Sequence, residues 1–235
     1  GIRDVAVTGV QTCALPISFS NPYVLGDDGP AWSTDFPKGD RQFMQVVRRL
    51  SGVDASPWEN PVALDDPALR RFPFLYTLEM GWSDLTDEEV LGLRGYLEAG
   101  GFLVVDDFWG SRQWAQFERQ MRRVLPNRPI VEVPRDHLLF RVYYDISGEI
   151  LQVPNVGYAY NVQAGIADPP TWEEDGYEAH VRGIFDDQGR LMVAINWNTD
   201  LGDAWEHAEN PYYPLKFSTF ACQLGLNMII YGMSQ

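Results

Sequence analysis

Two adjacent carboxylates, Asp106 and Asp107, directly follow the apolar run Phe102-Leu103-Val104-Val105. Carboxylates at the end of a buried strand can ligate a hard cation or act as general acid and base. Two side by side are costly to ionise together, so at least one is expected to face a ligand. The bland alternative makes Asp107 a turn cap and gives Asp106 to backbone amides. Asp136-His137 follows the next strand-like run and is expected to reach the same edge, where His137 would act as acid, base or ligand. A satisfied structural histidine is the competing reading. Neither His180 nor His207 has an evident partner in the sequence.

Asn198, Asp200, Asp203, Trp205 and Glu206 crowd one segment that reads as a loop. Oxygens at that density suit Ca²⁺ or Mg²⁺, but the spacing is not that of an EF-hand, so no metal ligand set is assigned. The same groups could hold a sugar, with carboxylates gripping hydroxyls and the Trp205 indole covering an apolar ring face. Solvated Asx turns would explain them equally well. Trp32, Asp35 and Trp109 are placed on the wall of the same ligand site. Asp35 could instead cap the helix that follows Pro37.

These residues need a scaffold, and the apolar pattern supplies one. Phe74 to Leu78 and Phe102 to Val105 are continuous apolar runs, as expected of strands covered on both faces. Val62 to Leu64 and Ile130 to Val133 read as shorter strands. Helical spacing of Phe43, Val46, Val47 and Leu50 marks a helix over 40–50. Thr86-Asp87-Glu88-Glu89 is a capping box opening a second helix, which Gly100-Gly101 closes. Ser111 is expected to cap a third, with Trp114, Phe117, Met121 and Val124 inward. Residues 153–177 read as a loop, 181–185 and 191–195 as an antiparallel hairpin, and 217 onward as a final helix. Strand–helix–strand alternation predicts an α/β fold with a mostly parallel sheet.

The formal net charge is −15, which disfavours nucleic acid and anionic membrane surfaces as partners. No Gly-x-Gly-x-x-Gly, phosphate-binding loop, zinc-type Cys/His spacing or Gly-x-Ser-x-Gly elbow is present. No cofactor is named by any motif, and oligomeric state is not encoded in one.

Trp32-Ser33-Thr34-Asp35-Phe36-Pro37, Pro73-Phe74-Leu75-Tyr76, Gly100 to Phe102 and Asp106 to Gly110 together resemble the bacterial domain of unknown function family 4159. Asp136-His137, Asn198-Thr199-Asp200, Gly202 to Glu206 and Gly225-Leu226-Asn227 extend the likeness across 22–233. The resemblance implies a flavodoxin-like, class I glutamine-amidotransferase-like three-layer sandwich, more remotely similar to trehalose-utilisation proteins. It also implies a bacterial envelope location, periplasmic or membrane-anchored through a lost N-terminus. Amidotransferases of that superfamily carry a nucleophilic cysteine where this chain has Asp106-Asp107. Cys222 sits in a helical apolar stripe, where a buried, inert thiol is expected. Cysteine-based glutamine hydrolysis is therefore excluded.

Residues 1–17 resemble the in-frame translation of a short-read sequencing adapter. Gly1–Asp4 match its flow-cell end, Val5-Ala6 a barcode and Val7–Ile17 the read primer, which points to a metagenomic assembly. They are treated as non-native, expected to pack loosely or to stand in as a strand, and 18–235 as one N-terminally truncated domain. The leading functional expectation is a small polar, carbohydrate-like ligand bound at the strand ends. The alternatives are a hydrolase using Asp106 or Asp107 with His137, with or without metal assistance, and an envelope protein-interaction module.

Overall fold

The computed structural model describes residues 17–18, 33–56, 60–148 and 150–235. Trp32 and residues 1–16, and so nearly all of the adapter-like segment, lie outside the described residues.

A five-stranded open sheet organises the chain: β3 (Phe74–Leu78), β4 (Phe102–Asp106), β5 (Ile130–Glu132), β6 (His180–Phe185) and β7 (Leu191–Trp197), in the order β3-β4-β7-β6-β5. Two further short strands, β1 (Ile17–Ser18) and β2 (Val62–Ala63), pair in parallel beside it. The three strands β3, β4 and β7 run parallel, with Phe74 opposite Phe102 and Val105 opposite Ile195. The continuous apolar runs at 74–78 and 102–105 are thus neighbouring buried strands, as their lack of alternation predicts.

Alternate residues of these strands feed two cores. Phe74, Tyr76, Phe102 and Val104 pack with α1 (Lys38–Leu50), α4 (Gly157–Gln163), α5 (Leu201–Glu206) and α6 (Leu215–Met233). Leu75, Leu103, Val105 and Val193 pack with α2 (Asp87–Glu98) and α3 (Gly110–Val124). Helices therefore cover both faces of a mixed α/β sheet. The capping box at Thr86 and Glu89 forms as read, and Gly100, at φ 105°, ends α2 in a conformation open to glycine.

Five local expectations are corrected. The β5 strand runs in the same direction as β3, β4 and β7 but makes no parallel ladder; it pairs antiparallel on β6, because the hairpin through 186–190 places the reversed β6 between it and β7. Ser111 does not cap α3, which starts at Gly110; the Ser111 hydroxyl instead donates to Asp175 Oδ2 at 2.6 Å. The 153–177 stretch contains α4, and the polar stretch after Asn196 contains α5, whose polar sequence hides a buried face of Leu201, Ala204 and Trp205. Cys222 is half-buried rather than buried, packed against the core of α6. Burial still pushes its thiol up to about 11, so it is protonated and unreactive at neutral pH.

Candidate functional site

The carboxyl ends of the parallel strands share one backbone device. Glu79, Asp107 and Asn198 are each the first residue past β3, β4 and β7, and each is left-handed, with φ of 57°, 49° and 61°. Asp35, just before α1, is a fourth, at φ 62°. Non-glycine residues in this region cost about 1–3 kcal/mol each and cluster where surrounding structure demands them. Here they break the strand pleat and gather polar side chains over the sheet edge.

Asp35, Asp107 and Asp200 each place a carboxylate oxygen within 4.8 Å of the other two. Asp107 and Asp200 are buried, and Asp35 Oδ2 is buried with no hydrogen-bond partner among the described residues. Burial raises all three carboxyls well above the usual carboxylate range. The charges that act most strongly on them are also carboxylates: Asp203 and Glu206 on Asp35, Glu79 on Asp107, and Asp107 on Asp200. Crowding of like charge, brought together by the fold from distant parts of the chain, thus adds to the rise that burial imposes.

The neighbours orient this cluster. Asp107 Oδ1 accepts from Trp109 Nε1 at 3.0 Å, and Asp200 caps α5 by accepting from the Asp203 amide at 2.7 Å. Asp106 points into the opposite side of its strand. Its Oδ2 accepts from the Tyr76 hydroxyl at 2.7 Å and from the amides of Leu201 and Gly202 at 2.8 and 3.3 Å. Burial pushes Asp106 up to about 7, with the Tyr76 hydroxyl and the Leu201 amide opposing the rise. Its Oδ1 faces Asn196 without a well-formed hydrogen bond. Asp106 thereby anchors α5 against the sheet.

Other predicted site residues are placed differently. His137 does not reach this edge. It packs on Phe185 and Tyr231, 5.6 and 5.4 Å between ring centroids, and Phe185 pairs with Leu191 at the amino end of β7. β5 ends toward the carboxyl edge, with Glu132 opposite Arg182, and the chain then folds back, where His137 Nδ1 accepts from the Leu139 amide as a turn cap. Trp205 is a core residue, stacked on Phe43 at 4.0 Å, so its face is closed to a sugar. Trp109 is likewise buried and reaches the site only through its Nε1 donor. Asn198 spends its amide on the chain itself, accepting from Gly110 N and donating to Glu178 O. Asp35 does not cap α1, whose first residue follows Pro37 without a side-chain cap. Both remaining histidines have carboxylate partners, His180 with Glu132 and His207 with Asp203 and Glu206.

Glu79 and Glu173 are site residues that the sequence reading missed. Burial and the nearby Glu173 push Glu79 up to about 8, and burial also raises Glu173. A glutamate directly after the fully apolar strand Phe74–Leu78 was the available signal, equivalent to Asp107 after β4. Glu173 gave none, because only tertiary folding brings residues 171–178 across the strand ends.

A mixed α/β domain with a crowded carboxylate site at its strand ends is the class that fold and site define. Residues 22–233 match the family described as a domain of unknown function (DUF4159), and the chain belongs to that family. A search of curated proteins finds no match to the chain.

Proposed function

We propose that this domain binds a hard divalent cation, Ca²⁺, Mg²⁺ or Mn²⁺, through Asp35, Asp107 and Asp200, and takes a polar, hydroxyl-rich ligand through that cation. One observation carries the reading: three buried carboxylates offer oxygens within 4.8 Å of one another, and the strongest charges upon them are further carboxylates. Oxygens on opposite sides of a cation at about 2.4 Å lie about 4.8 Å apart, so the set can share one ion. Buried, uncompensated carboxylates are strongly unfavourable, and a cation removes that penalty where protonation otherwise must. An all-oxygen donor set selects hard cations over thiophilic ones.

A carbohydrate-like ligand is supported by Trp172 and Tyr177, an exposed edge-to-face pair 5.8 Å apart that flanks Glu173 on the covering segment. Such rings supply the apolar platform that the buried Trp205 does not. A metal-assisted hydrolase is the second reading, favoured by Glu79 at about 8 beside Asp107, a proton carrier matched to neutral pH. His137 has no part in it. The three parallel strands, with helices on both faces and the site at their carboxyl ends, support the amidotransferase-like superfamily reading. Under the same proposal the protein works in the bacterial envelope.

Isothermal titration of the chelator-stripped protein with Ca²⁺, Mg²⁺ and Mn²⁺ tests the cation. Binding that Asp107→Asn and Asp200→Asn abolish supports it, and heat-free titrations with all three ions sink it.

A further inference from the structure

We propose that the chain holds a second divalent cation on Asp203, Glu206 and His207, with the Asp35 carboxylate shared between the two ions. The inference rests on the cation reading above and extends it to a two-cation centre.

Asp203, Glu206 and His207 stand at i, i+3 and i+4 on α5 and its cap, a spacing that lines side chains on one helix face. One ligand atom from each lies within 4.8 Å of the other two. His207 Nε2 is 3.4 Å from Asp203 Oδ1 and 3.6 Å from Glu206 Oε2, longer than good hydrogen bonds and compatible with an ion between them. Asp203 is held for that role, because its Oδ2 accepts from the Val156 amide at 2.5 Å and leaves Oδ1 toward His207. Glu206 and His207 are half-buried, which leaves the cluster open to entry from solvent.

Asp35 joins the two clusters. It is a member of the first, its buried Oδ2 meets no donor among the described residues, and Asp203 and Glu206 are the charges that act most strongly on it. That oxygen lies over Gly202, which with Leu201 separates Asp200 of one cluster from Asp203 of the other, and a Cβ there would sit 2.1 Å from it. A carboxylate so placed can bridge two cations, as in paired sites about 3.5–4 Å apart that activate water between them. The imidazole nitrogen makes the second position suited to a borderline ion such as Zn²⁺, while its two carboxylates also admit Mn²⁺. A charged His207 paired with two carboxylates and no ion is the competing arrangement.

The test is metal stoichiometry of the full chain, stripped by chelator, reloaded with Mn²⁺ or Zn²⁺ and read by native mass spectrometry. Co²⁺ loading adds a visible absorption band sensitive to nitrogen ligation. The wild type is expected to hold two equivalents. Glu206→Gln and His207→Gln, each checked for folding by circular dichroism, are expected to hold one, with the second equivalent weakened at least about tenfold. One equivalent in the wild type, unchanged by Glu206→Gln, overturns the second site and leaves the first. Two equivalents retained in both variants also overturn it. No bound ion in any protein overturns both readings together.

Discussion

Glu79 and Asp107 stand side by side one residue past the ends of β3 and β4, with the Glu79 amide donating to the Asp107 carbonyl at 3.1 Å. Both are left-handed, and Glu79 is the largest charge acting on Asp107. Neighbouring parallel strands thus end in the same strained turn and deliver carboxylates to one place. Such strain is maintained only when the surrounding fold over-determines it.

Asp107→Asn and Asp200→Asn should move stability in opposite directions with and without cation. Each removes a buried charge from a crowd of like charges, so the chelated variants should melt higher than chelated wild type. A cation at 100 times its dissociation constant adds about 2.7 kcal/mol to the wild type. The variants should lose most of that gain. Thermal melts in chelator and in Mn²⁺ check both directions.

The chelated protein should lose stability as pH rises from about 4 to about 8, a window set by carboxylates raised from the ordinary range. Asp106 rises from 3.8 to about 7 and Glu79 from 4.5 to about 8, so the folded chain binds more protons than the unfolded one between these limits. Stability from the protonated forms is fully present below the unfolded values and lost through the folded ones. Bound cation should flatten the profile, and its affinity should fall as the pH drops, because protons compete for the same oxygens. Melting temperature against pH, with and without cation, reads both effects.

Glu79→Gln should shift the pH midpoint of cation binding to lower pH. It removes the largest charge acting on Asp107, which can then ionise more easily. Titration calorimetry across pH 7–9, which spans the value of about 8 where Glu79 takes up its charge, checks the direction. An unchanged midpoint would show that Glu79 does not act on the ligand set.

Gly202→Ala should weaken cation binding without replacing a ligand. A Cβ there would fall 2.1 Å from Asp35 Oδ2, so the carboxylate must move away from its partners. Loss of one ligand's placement is expected to cost about 10–100-fold in affinity, the range seen when supporting groups are removed. Far-UV circular dichroism should remain that of the wild type.

The apolar runs at 74–78 and 102–105, the capping box at Thr86 and the hairpin turn at 186–190 were all legible in the sequence, because each depends on local periodicity or turn chemistry. So was the placing of Asp107 at a strand end, since a buried parallel strand must deliver its next residue to the ligand edge. Tertiary structure alone decided where the chain went after β5. β5 ends toward the same edge as β4, but the chain beyond Val133 doubles back and sets His137 against Phe185 and Tyr231 at the opposite end of the sheet from Asp107, and no local pattern specifies that return. It also decided that Trp205 would be core rather than ligand platform, because an isolated polar stretch does not show which face a six-residue helix will bury. Glu79 and Glu173 lie 94 positions apart, and only the folding of 171–178 across the strand ends puts their charges together. Local sequence sets the residue types available at a strand end, and long-range packing sets which of them meet.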